Sequence, residues 1–115
     1  QAPHVLDGFM GFATAMGLPQ PDIRWHIPIK SEDELWASEH YLTEKPLAIL
    51  CPAASKAVRN WTVDGYAETA RYLAKQGFTV AICGGPTAME KQLATDIIGA
   101  AKIDVINMVG KTTRL

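Results

Sequence analysis

What this chain has little of narrows its chemistry first. It holds two cysteines, Cys51 and Cys83, in no CxxC spacing and with no histidine beside them. That makes a thiolate zinc site improbable, and a disulfide between them, should neighbouring strands bring them close, is the lesser alternative because adjacent-strand geometry often misses the required dihedral. In a reducing compartment both read as free, half-buried thiols at strand ends. The three histidines, His4, His26 and His40, fall at no metal-ligand spacing and read as structural or solvated groups, so no metal is expected. No apolar run approaches the ~20 residues of a membrane helix, and the first residues lack the basic-then-apolar pattern of a signal peptide. A net charge of -1 argues against a broad basic surface for nucleic acid. Internal repeats and low-complexity segments are also missing. Gln1 is not an initiator Met, so the chain is expected to be a processed or excised piece of a longer protein.

What is present is ordinary globular material: 115 residues, 48% hydrophobic and 20% charged, enough for one domain or less. Its centre is Leu47 to Trp61, LAILCPAASKAVRNW. Lys45 and Pro46 open an apolar run that reads as a parallel strand buried on both faces. The run stops in a small-residue loop. Ligands of open parallel sheets bind beyond the carboxyl ends of the strands, and Ala53, Ala54 and Ser55 are small enough to let a phosphate approach backbone N–H groups. Lys56 and Arg59 place two cations there, and no acid stands between Cys51 and Val63 to neutralise them.

Before this centre, Val5 to Met16 has helical spacing, apolar nearly all round, with Gly17 as its stop. Such a helix is expected to pack between two surfaces or against a part of the protein outside these residues. Ile23, Trp25, Ile27 and Ile29 alternate with Arg24 and His26 as in a half-buried strand, which Pro28 restricts to an edge or an extended linker. Ser31 and Glu34 form a capping-box pattern for a helix to about Leu42, anchored by Leu35, Trp36 and Leu42. After the centre, Thr62 caps a helix with Tyr66, Ala70, Leu73 and Ala74 on one face, ended by Gly77. A strand from Phe78 to Cys83 breaks at Gly84-Gly85-Pro86. Thr87 and Glu90 form a second capping box before a helix striped by Met89, Leu93, Ile97, Ile98 and Ala101. A third strand, Val105 to Val109, stops at Gly110. The order β-α-β-α-β is half of a Rossmann-like, doubly wound parallel sheet, preceded by a helical segment.

Each chemical feature also has a plain reading: Lys56 and Arg59 as a solvated loop, Glu90 as a helix cap, Gly84 and Gly85 as a tight turn, and Lys111 to Arg114 as exposed polar residues. Yet PAASKAVRNW, AETARYLAKQGFTVAICGGP and VINMVGKTT, in this order and spacing, closely resemble glycosyltransferase family 9, the lipopolysaccharide heptosyltransferases and their relatives. The likeness covers about Pro46 to Thr113 well, and HVLDGFMGFATAMGL more loosely. Three residues depart from the family pattern: Ala53 stands for a frequent Gly, Ala88 for a Glu often found after GGP, and Arg114 for a common Leu.

The resemblance implies a GT-B enzyme, with two Rossmann-like domains facing one another and the C-terminal one holding a nucleotide-activated sugar. It makes residues 1–45 an interdomain, helical segment and 46–115 the first half of the donor domain. Ser55 then corresponds to a hydroxyl contacting the donor diphosphate, with Lys56 beside it. Arg59 corresponds to the cation that stabilises the diphosphate leaving group, Thr112 to a position near the nucleoside, and Glu90 to a substitute ribose contact. Trp61 anchors the helix behind the loop. No cofactor is implied. The expected partners are a nucleotide-sugar donor carrying a heptose-like sugar and a lipid-linked saccharide acceptor of the lipopolysaccharide core type. Nucleic acid is not among them. The expected place is the cytoplasm, peripheral to the inner membrane, with membrane contact only through segments outside this chain. The family's catalytic base and its DSG-x-x-H motif lie outside these residues, so the chain alone is expected to be inactive, and its uncovered sheet edge and apolar helix favour self-association. The alternative is a non-catalytic α/β module whose loop binds a phosphate or nothing.

Overall fold

The computed structural model describes residues 4–20, 22–41 and 44–112. In chain order its elements are α1 (Val5–Ala15), α2 (Ser31–Tyr41), β1 (Leu47–Leu50), a 3-10 turn (Ala57–Arg59), α3 (Val63–Lys75), β2 (Thr79–Ile82), α4 (Ala88–Ala101) and β3 (Ile106–Asn107). The three strands are parallel in the order β1-β2-β3, the expected β-α-β-α-β unit.

Both crossovers step in the same direction across the sheet. Right-handed connections then put both helices on one face, and α3 and α4 do pack against each other. Beneath them, Val80 meets Ala67, Ala70 and Ala101, while Ile82 meets Ala94, Ile97 and Val109. Alanines at these helix positions let the backbones come close to the sheet, and the Arg71 guanidinium donates to the Ala100 carbonyl at 2.9 Å, tying the two helix ends together.

One-sided winding corrects the reading of β1 as a strand buried on both faces. Ile49, pointing away from α3 and α4, is 51% exposed, and β1 is also an edge strand. The third strand is shorter than its sequence pattern, two residues in place of five. Its ladder nevertheless continues, with the Met108 N–H donating to the Ile82 carbonyl at 2.8 Å and Gly110 to Gly84 at 2.9 Å.

The segment before β1 differs most from expectation. Helix α1 ends where foreseen, with Gly17 at φ +77°, but none of its described residues is buried and Phe12 is 71% exposed. Its expected covering surfaces are not among the described residues, and Leu6, Met10 and Ala13 are only half-buried. No strand forms from Ile23 to Ile29. These residues are irregular and exposed, Trp25 to 86%. Alternation alone cannot make a strand without a neighbour to satisfy its backbone groups, and Pro28 removes one donor. The capping box at Ser31 is replaced too: the N–H groups of Asp33 and Glu34 donate to the Lys30 carbonyl, so the helix begins one residue earlier and Ser31 is its first residue. Leu35 is exposed rather than an anchor, whereas Trp36 stacks on His40 at 4.2 Å. Leu42 lies outside the described residues. With these pieces spread out, the radius of gyration is 18.9 Å, against about 13 Å for a compact chain of this length.

Candidate functional site

The three strand-to-helix or strand-to-loop connections emerge together at the carboxyl edge of the sheet, and the residues singled out in the sequence distribute over them. The first loop runs from Cys51 to Trp61. Pro52 is buried at its root. Beyond it the chain turns through the 3-10 segment, with Arg59 N–H donating to the Lys56 carbonyl and Asn60 N–H to the Ala57 carbonyl, each at 2.9 Å. The Asn60 side chain closes the loop: its Oδ1 accepts from the Ala54 N–H at 2.7 Å, and its Nδ2 reaches the Met89 sulfur at 3.7 Å. Sequence reasoning missed Asn60. The available signal was an Asn at the end of a small-residue loop, where its side chain favours bonds to nearby backbone.

Inside the loop closed by Asn60, the N–H groups of Ser55, Lys56 and Ala57 make no hydrogen bond among the described residues. The side chains of Ser55, Lys56 and Arg59 are exposed beside them, and Lys56 and Arg59 form no ion pair among the described residues. Immediately behind, Thr62 caps α3 by accepting from the Gly65 N–H at 3.1 Å. Its first turn therefore adds a positive dipole end to the two cations. Trp61 lies over this turn, its ring so close to Gly65 that a Cβ there would stand 2.6 Å from it, and it meets Tyr66 edge-on at 5.3 Å. It acts as the expected anchor of the helix behind the loop.

The second loop, Gly84-Gly85-Pro86, is organised by Glu90. Its Oε1 accepts from the Gly85 N–H at 2.9 Å, its Oε2 accepts from the Thr87 hydroxyl at 2.6 Å, and its own N–H donates to that hydroxyl at 3.3 Å. This is the foreseen capping box, extended by one bond into the turn. A Cβ at Gly85 would fall 2.8 Å from the carboxylate, so a side chain there would displace the Glu90 cap. The Glu90 carboxylate thus occupies the N-terminus of α4. Thr112 is exposed in the third loop, just past the Gly110 turn. The Gly110 to Gly84 bond fastens that loop to the second, and Asn60 to Met89 fastens the first to α4.

At the carboxyl ends of β1 and β2, both thiols are free: Cys51 is exposed, Cys83 half-buried, and the Tyr41 hydroxyl lies 3.3 Å from the Cys83 sulfur. Burial first, then the bond to Cys83 and the proximity of both sulfurs, raises the Tyr41 phenol above its usual range. Burial, followed by the nearness of Cys83, raises the Cys51 thiol. Both groups stay neutral near pH 7 and add no charge to the site.

Comparison with known proteins gives this edge its context. A sequence model of glycosyltransferase family 9 (heptosyltransferase) matches residues 1–114. Over 111 residues, 96% of this chain, the sequence is 32% identical to the lipopolysaccharide core heptosyltransferase OpsX of Haemophilus influenzae, covering 32% of that protein. The fold is similar to the glycosyl transferase family 9 structure from Veillonella parvula (TM-score 0.76, 20% identity, 97% of this chain and 33% of that one). It is also similar to the ADP-heptose LPS heptosyltransferase II of E. coli (TM-score 0.65, 23% identity, 85% of this chain and 31% of that one). The chain spans about a third of the length of the relatives it matches. No described helix is long and apolar enough to cross a membrane. With the match running through all three loops and nearly end to end, the chain belongs to glycosyltransferase family 9.

Proposed function

We propose that residues 46–115 form the first half of the donor-binding domain of a glycosyltransferase, residues 1–45 being the segment that leads into it. The complete enzyme would move a heptose-like sugar from a nucleotide-sugar donor to a saccharide acceptor of the lipopolysaccharide core, on the cytoplasmic side of the inner membrane. The observation that carries this reading is the first loop: three N–H groups and two cations without partners among the described residues, and a helix N-terminus, at one end of a parallel sheet, in a chain of this family.

Glycosyl transfer breaks the bond between the anomeric carbon and the donor diphosphate, so negative charge builds on the departing diphosphate. A fixed cation there favours the transition state over the ground state. Arg59 is the residue for that task. It ends the 3-10 turn at the mouth of α3, and its guanidinium can grip two phosphate oxygens at once. Ser55 and the loop N–H groups hold the diphosphate in the ground state, Lys56 contributes field, and Thr112 lies toward the nucleoside. Glu90 has both carboxylate oxygens engaged by Gly85 and Thr87, which ranks its capping role above a ribose contact.

In the complete enzyme, Arg59→Ala lowers single-turnover transfer from saturating donor by ~100-fold or more, the size of losing one electrostatic stabiliser of developing charge. Lys56→Ala does much less, and Arg59→Lys recovers part of the loss. Near-normal transfer in Arg59→Ala with collapse in Lys56→Ala would overturn the assignment of the leaving-group cation.

A further inference from the structure

We infer that Asn60 is the positioning residue of the first loop: its side-chain amide sets the shape in which the loop receives a diphosphate. This rests on the reading of that loop as the donor diphosphate site. No described backbone hydrogen bond ties the segment from Ala53 to Asn60 to a strand or to another helix. Its only described internal bonds are the two of the 3-10 turn and the Ala54 N–H to Asn60 Oδ1 bond. That last bond spans six positions, joins the two ends of the turn, and is the shortest of the three at 2.7 Å. Without it, Ala53 to Ser55 would keep no described hydrogen bond, and the three open N–H groups would be free to diverge.

The second arm of the same amide matters as much. Nδ2 contacts Met89 on the first turn of α4, so the loop is referenced to the helix whose Glu90 organises the second loop. An amide suits this place better than a carboxylate or an amine. It offers one acceptor and one donor without charge, and so neither neutralises the adjacent Arg59 nor repels it. Half-buried and with both amide atoms engaged by Ala54 and Met89, Asn60 acts through the shape of the loop backbone and not on a reacting atom.

The test uses the complete enzyme, with ADP as the probe, in four forms: wild type, Asn60→Ala, Asn60→Asp and Arg59→Ala. Asn60→Ala is expected to speed hydrogen exchange at the Ala54 amide and weaken ADP binding by roughly 5-fold, the scale of one lost internal hydrogen bond. Donor KM rises with it, acceptor KM and the melting temperature staying unchanged. Asn60→Asp keeps an acceptor, so Ala54 stays protected, but its carboxylate draws on Arg59 and ADP binding still weakens. A residue that only stabilises the fold would move the melting temperature and both KM values together, and that result would refute the inference. So would unchanged Ala54 exchange and ADP affinity in Asn60→Ala while Arg59→Ala weakens ADP. If Arg59→Ala leaves ADP binding intact, the diphosphate reading itself fails, and the inference with it.

Discussion

Replacing Gly65 with alanine should destabilise α3, although glycine-to-alanine changes inside helices normally stabilise by about 1 kcal/mol. The reason is Trp61. A Cβ built on Gly65 would lie 2.6 to 2.8 Å from three atoms of the indole ring, closer than real carbon contacts allow, so the ring must leave. It is free to do so, being 58% exposed already. Leaving gives up roughly two-fifths of an indole's buried surface, ~60–100 Å², worth ~2 kcal/mol at about 25 cal/mol per Å². It also breaks the edge-on contact with Tyr66, worth ~1 kcal/mol. Setting the helix-propensity gain against these leaves a net loss of ~2 kcal/mol, so amides of α3 should exchange about 30-fold faster by native-state hydrogen exchange. The decisive arm is the double-mutant cycle. In a Trp61→Ala background nothing occupies the space beside Gly65, and Gly65→Ala should now slow exchange about 5-fold. The sign reversal is the signature of the contact. An equal effect of Gly65→Ala in both backgrounds would refute the claim that Trp61 is seated on this turn.

Two further outcomes follow from the site. Thr87→Val removes both the cap of α4 and the hydroxyl that holds Glu90, and should cost about 1 kcal/mol, seen as faster exchange in the first turn of α4 and at Gly85. The alkaline limit of stability should be set in part by Tyr41 and Cys51, whose pKa values are raised above their ordinary 10.0 and 9.0. The unfolded chain releases these protons first, so their contribution is complete below about pH 9 and is lost as pH rises through the higher folded-state values. Melting temperature measured across that range should fall less steeply in a Tyr41→Phe, Cys51→Ser double variant, and an unchanged slope would show that the cluster is not coupled to folding.

The sequence by itself determined whatever is encoded within a few residues or by strict order. Thr62 and Thr87 cap the helices they were expected to cap, because a capping hydroxyl bonds an N–H only two or three residues on. The β-α-β-α-β order followed from alternating apolar runs, and the family motifs were legible as strings at fixed spacing. Only the tertiary structure decided which patterns find a partner. Ile23 to Ile29 carries the alternation of a strand, yet no described backbone group pairs with it. β1 has the apolar run of a doubly covered strand, yet two crossovers in the same direction leave Ile49 uncovered. The candidate site divides in the same way. Lys56 and Arg59 could be named from the string, since charge is a property of the residue. The role of Asn60 could not, because its meaning lies in Ala54 six positions back and Met89 twenty-nine positions on, two groups that only the folded chain brings to one amide.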